Sequence, residues 1–190
     1  MKNNELIEFV NDINLNQDIN LNDIPDLDLY MDQVIQLFEN KLSGLKRNSE
    51  DKVLTKTMIN NYAKSKLLMN VKSKKYSKDH LILMSLIYDL KGILSISDIK
   101  LLLDNIVKKY DSDEDYDLKG LYEKYIDIKA SDSDIVRDLV ENKIGKLSIN
   151  SDEKTFEEKF LIITSLINIS NMYRRIGEKL IDEFFQEGNK

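Results

Sequence analysis

Apolar residues recur along most of this chain at intervals of three and four, the spacing of one helix face. Tyr30, Val34, Leu37, Phe38 and Leu42 mark a first clear helix, started at Pro25, Asp26 and Asp28 and ending near Lys46, with Gly44 beginning the exit. After a polar connector from Arg47 to Lys52, Thr55 or Thr57 caps a short helix that gathers Met58, Ile59, Tyr62 and Leu67 on one face. The period lapses between Leu68 and Tyr76, so a loop or short hairpin is expected there. Ser77 then caps a helix that is apolar on nearly every side from Leu81 to Leu90, the pattern of a central helix enclosed by others, and Gly92 closes it. Ser97, with Asp98 in the first turn, caps the next helix, which carries Ile99, Leu102, Leu103, Ile106 and Tyr110.

On either side of this block the pattern changes. Residues 1–24 scatter a few Leu and Ile among Asn and Asp and read as an N-terminal arm. Asp111, Asp113, Glu114, Asp115 and Asp117 separate residues 25–110 from a C-terminal region, 111–190, read as a helical bundle. Helical patterns there run over 118–128, 133–144 and about Asp152 to Gln186. The last repeats Phe156, Phe160, Ile163, Ile167, Tyr173, Ile176, Leu180 and Phe184, a length suited to spanning the domain or pairing with a second copy. Gly177 would allow close helix approach at such a seam. The acidic run resembles half a calcium loop, but Tyr116 stands where the loop needs Gly and Tyr122 where it needs a bidentate Glu. It reads as a solvated linker, and no metal site is expected.

Composition narrows the class. One Pro and six Gly in 190 residues leave little turn chemistry for a many-stranded sheet, so the fold class expected is all-α. The absence of Cys excludes disulfides, a thiol nucleophile and Cys-ligated zinc or iron–sulfur sites. His80 is the single histidine, which leaves no Ser-His-Asp set with a second histidine in reserve, and its place in the first turn of a buried helix reads as structural. No Gly-rich phosphate cradle is present, and acidic pairs such as Glu157 and Glu158 suit a wet helix face. Arg174 and Arg175 read as solvated or internally paired. Neither an enzyme nor a cofactor is expected. The first thirty residues hold no apolar run of signal-peptide length and no stretch suits a membrane span, so a cytoplasmic protein is expected.

Charge adds the most informative signal. From Lys52 to Lys78 there are eight Lys and no Asp or Glu, giving +8 within a chain of net charge −6; the other 163 residues carry −14. A protein acidic overall that concentrates cations in one helix and the loop after it has a surface suited to a polyanion. Lys56, Asn60 and Lys64 share one helix face with Thr57, Asn61 and Ser65, opposite Met58, Ile59, Tyr62 and Leu67. Lys and Thr suit phosphates, and Asn can pair with adenine in a major groove. The candidate nucleic-acid contacts are Thr55, Lys56, Thr57, Asn60, Asn61 and Lys64 from the helix and Lys72, Lys74, Lys75 and Tyr76 from the loop. Tyr62 fits the core better.

The segments Met58 to Leu68, Lys75 to Leu81 and Asp89 to Lys100 together resemble the DNA-binding half of MerR-type regulators: a short helix ending in a Leu pair, a wing closing on Tyr76-Ser77, an apolar helix, then a Leu-Ser helix start. More closely, Leu54 to Ile99 is similar to an uncharacterised family of low-GC bacterial proteins, marked by Leu54-Thr-Lys-Thr-Met-Ile-Asn-Asn-Tyr62 and catalogued as a domain of unknown function. The MerR resemblance implies a winged helix-turn-helix with a short hairpin wing over 25–110, and a homodimer formed through C-terminal helices. Asn60 and Asn61 replace the Arg and first Tyr of the MerR pattern, Lys66 replaces the Gly before the Leu pair, and Met69-Asn70 stand where Pro is usual. The function expected is a transcriptional regulator that binds duplex DNA. The rival is a helical interaction module that kept the winged-helix scaffold and turns the same basic face toward an acidic protein or toward its own Asp111 to Asp117 segment.

Overall fold

The computed structural model describes residues 3–112, 114–146 and 155–186. These fold into α1 (Asn3–Asp12), β1 (Leu29–Tyr30), α2 (Met31–Leu42), α3 (Lys56–Lys64), β2 (Lys75–Tyr76), α4 (Lys78–Leu90), α5 (Ile96–Asp111), α6 (Leu118–Lys146) and α7 (Phe156–Phe185). The architecture is mostly helical with one small sheet: β1 and β2 pair antiparallel, Leu29 opposite Tyr76 and Tyr30 opposite Lys75.

The described residues form two compact units. One compact unit comprises Gln17–Ile126 with Glu178–Lys190, the other Met1–Asn16 with Asp127–Gly177, each through its described residues. In the first unit Leu81, Ile82, Leu83, Met84 and Ile87 of α4 are fully buried, as its all-round apolar pattern requires. Val34 and Phe38 of α2, Ile59 and Tyr62 of α3, Ile99 and Leu103 of α5, and Leu118 and Tyr122 of α6 share that core. One polar seam crosses it. Tyr122 Oη donates to Ile19 O at 2.7 Å and lies 2.8 Å from Ser85 Oγ, so the hydroxyl buried among apolar side chains is satisfied. In the second unit Leu6, Ile7 and Val10 of α1 pack with Val140, Ile144, Ile162 and Leu166, and Arg137 donates to Asn11 O and Ile13 O.

Several elements depart from the pattern-based expectation for identifiable reasons. Residues 3–12 are a helix rather than an arm, because burial of one apolar side stabilises what propensity leaves marginal. Pro25 does not start a helix: a 3-10 turn at Leu21–Asp23 and strand β1 come first, and α2 begins at Met31, where Gln33 Oε1 accepts from Tyr30 N at 2.8 Å. The cap of α5 is Ser95, not Ser97; Ser95 Oγ accepts from Asp98 N, and Ser97 falls inside the first turn. The two helices expected over 118–128 and 133–144 are one, since Ser131, Asp132 and Ser133 lower helix propensity by only tenths of a kcal/mol each and no Gly or Pro stands between them. The acidic run serves the fold at both ends: Asp111 accepts from Asn70, and Asp117 accepts from Gly120 N at the start of α6. Asp113 lies outside the described residues. A Cβ on Gly177 would meet nothing within 4 Å, so no close approach among the described residues requires that glycine.

Candidate nucleic-acid interface

Thr55 sets where α3 begins. Its backbone is extended and its Oγ1 accepts from Met58 N at 3.1 Å, occupying an amide that the first helical turn leaves free. Ile59 and Tyr62 then face the core, and Thr57, Asn60, Asn61 and Lys64 lie exposed on the rest of the surface. The helix ends in a Schellman motif: Leu67 N donates to Tyr62 O and Lys66 N to Ala63 O, with Lys66 left-handed at φ 58°. That is the position glycine ordinarily fills.

The segment after α3 folds back on itself. Lys75 N donates to Lys72 O at 3.0 Å, Lys72 and Lys75 form an isolated antiparallel bridge, and Ser73 and Lys74 between them have φ of 52° and 60°. Positive φ at both central residues marks a type I′ turn, the tight hairpin turn that usually selects Asn-Gly. Strand β2 leaves this turn to pair with β1, and Lys75 Nζ sits 5.2 Å from the centre of the Tyr30 ring. The hairpin expected between Leu68 and Tyr76 is thus a single turn whose outgoing strand pairs with a segment before α2.

His80 fastens the base of this loop. Ser77 N donates to its Nδ1 at 3.2 Å, which makes Nδ1 the acceptor and leaves the proton on Nε2, 3.3 Å from Met69 O. Ser77 Oγ also lies 2.8 Å from Nδ1, and the Tyr76 ring meets the imidazole edge-on. Burial holds the His80 pKa below its ordinary 6.5, although the Met69 carbonyl and Asp79, Asp28 and Asp111 favour the cation. A cavity of about 440 Å³ opens beside the ring, lined in part by those three carboxylates, Lys72, Lys75 and Tyr110.

The candidate residues do not all present themselves alike. Lys64, Lys72 and Lys74 are exposed, as is Lys66, which the helix-face pattern leaves out although it follows α3 directly. None of these four forms an ion pair with a described residue. Lys56 is exposed but pairs with Asp32 at 2.7 Å, and Lys78 pairs with Asp26 at 2.9 Å. Thr55 is engaged as the cap. Tyr76, expected at the surface, is only 5% exposed because β2 turns its ring into the core, and burial pushes its phenol pKa up. Tyr62 is buried as expected. Among the described residues no group of His, Asp and Glu is placed to hold a metal ion, and no helix is long and apolar enough to cross a membrane.

Residues 19–125 match a family described as a domain of unknown function, DUF1836. The chain belongs to this family. The matched span falls within the continuous stretch Gln17–Ile126 of the first compact unit, so the DUF1836 domain contains α2 to α5, the small sheet and the first turns of α6. No curated protein and no solved structure matches the chain.

Proposed function

We propose that this DUF1836 protein binds duplex DNA as a transcriptional regulator, with α3 and the 70–76 turn as its contacting parts in a MerR-like winged helix-turn-helix arrangement. One observation carries the reading: among the described residues three non-glycine residues adopt left-handed backbone, and all three, Lys66, Ser73 and Lys74, lie in the acid-free stretch from Lys52 to Lys78. A left-handed residue with a Cβ costs roughly 1–2 kcal/mol. Two of the three are exposed lysines at positions where glycine would relieve that strain, a pattern suited to a surface that needs cations there. The exposed Asn60 and Asn61 supply amide groups able to read base edges, while the lysines neutralise phosphates.

The same reading includes a homodimer formed through α7. Within residues 156–177, Phe156, Phe160, Ile163, Ile167, Tyr173 and Ile176 are each more than half exposed. Phe156, Phe160, Ile163 and Ile167 share one face of α7, and at roughly 100 Å² per side chain they offer about 400 Å² of apolar surface, half of the roughly 800 Å² each partner gives to a standard interface. Two copies would then present two α3 helices, and about 34 Å between them would match successive major grooves.

The test is an anisotropy titration of the full chain with random duplex. If about six lysines neutralise phosphates, binding is present at about 50 mM salt and log K falls with log salt at a slope near −5. Lys64→Glu with Lys74→Glu abolishes it. Absence of binding at micromolar protein removes DNA as the partner and leaves the basic face to an acidic protein.

A further inference from the structure

The residues that fasten the basic turn include the one side chain suited to change charge near neutral pH. His80 sits in the first turn of α4, yet its two ring nitrogens address opposite ends of the segment between α3 and α4: Nδ1 takes the Ser77 amide, and Nε2 gives its proton to the Met69 carbonyl. Between those anchors lie Lys72, Lys74 and Lys75 and the two left-handed residues Ser73 and Lys74. The Lys72–Lys75 hydrogen bond and the short β1–β2 pairing are the other backbone ties on the segment, and Asp111 holds Asn70 at its start.

We propose that His80 is a proton-operated latch on this turn, closed when the ring is neutral and released when it is charged. A proton added at Nδ1 turns the acceptor into a donor that faces the Ser77 N–H, so both cannot stay. Ser77 Oγ can rotate to accept, but the amide then loses its partner at the cap. The imidazolium is favoured by the adjoining cavity, where Asp28 from the approach to β1, Asp79 from α4 and Asp111 from the end of α5 face it, with Lys72 and Lys75 the opposing cations and Tyr110 and Tyr76 the neighbouring rings. The charged ring keeps its Nε2–H bond to Met69 O, so the release falls at the Ser77 end, where the amide loses its acceptor and the left-handed turn leading into it is free to relax. Only the consequence for DNA rests on the proposed function; the latch itself does not.

Because the chain has one histidine, its imidazole gives a single NMR signal to follow. The experiment records that signal and the amide exchange of the full chain from pH 7.5 to pH 5, with exchange corrected for intrinsic rates. The expected result is at least a tenfold loss of protection at Lys75 and Ser77 in step with the imidazole titration, while α4 and α5 keep theirs. His80→Gln retains a neutral acceptor and donor at the same place and stays protected throughout. An imidazole that titrates while the turn amides keep their protection overturns the latch, as does one that stays neutral until the whole chain unfolds, or the same loss in His80→Gln. If that variant does not fold, the wild-type comparison decides, since a loss spread evenly over the chain also overturns it. Duplex titration at pH 7.5 is read separately, so failure to bind DNA leaves the exchange result standing.

Discussion

Lys66 and Lys74 occupy backbone positions that an L side chain tolerates poorly, and each keeps its ammonium group in solvent. Replacing either with Gly removes the Cβ from the left-handed region and is expected to raise stability by about 1 kcal/mol, read as a higher urea midpoint with unchanged m. On the proposed function the same change removes one phosphate contact, so each variant lowers the salt slope for duplex binding by about 0.9. A gain in stability with binding unchanged detaches these lysines from the interface. His80 adds a pH dependence with a definite sign. Its folded pKa lies below the ordinary 6.5, so the unfolded chain takes up the proton first. Stability from this group is complete above about pH 7 and declines as pH falls from the ordinary 6.5 toward the lower folded pKa, and His80→Gln flattens that part of the profile.

At the scale of the element, α3 depends on a single cap. Thr55→Ala takes away the oxygen that receives Met58 N and is expected to cost about 1 kcal/mol in urea unfolding, while Thr57→Ala, at the second residue of the helix, leaves the midpoint nearly unchanged. This start was legible in the sequence to within two residues because capping is local chemistry. Helix α4 was legible for a different reason: a run apolar on every side has only one home, the centre of a core. The small sheet was not legible. Two-residue strands have no period, and Leu29 pairs with Tyr76 across 47 positions. The turn before β2 was equally hidden, because Ser73-Lys74 lacks the Asn-Gly signature that announces a type I′ turn. Burial of Tyr76 follows from that unseen pairing, which is why the sequence placed its ring on the wrong side.

For the whole molecule, the exposed apolar side of α7 makes self-association the outcome to measure. Light scattering of the full chain is expected to report a dimer at tens of micromolar, and Ile163→Glu with Ile167→Glu a monomer with unchanged helix content, because both side chains are solvent-facing in the single chain. A monomeric wild type at that concentration removes the pairing. The sequence showed the α7 stripe plainly but not which apolar positions the chain covers itself: Ile162 is buried against Val140 and Ile144 while Ile163 is bare. Nor could it show that α1 belongs with residues near 140, since Asn11 reaches Glu141 across 130 positions.

That last pairing bears on how the protein is made. The continuous stretch Gln17–Ile126 emerges from the ribosome with nearly all of its core partners at hand, whereas Leu6, Ile7 and Val10 precede it and are covered only once residues beyond 127 have appeared. A nascent chain halted near Ile126 therefore carries the family domain's continuous stretch, while α1 still lacks the side chains that cover it. Until residues near 140 and 162 appear, the apolar side of that helix has no cover from its own unit.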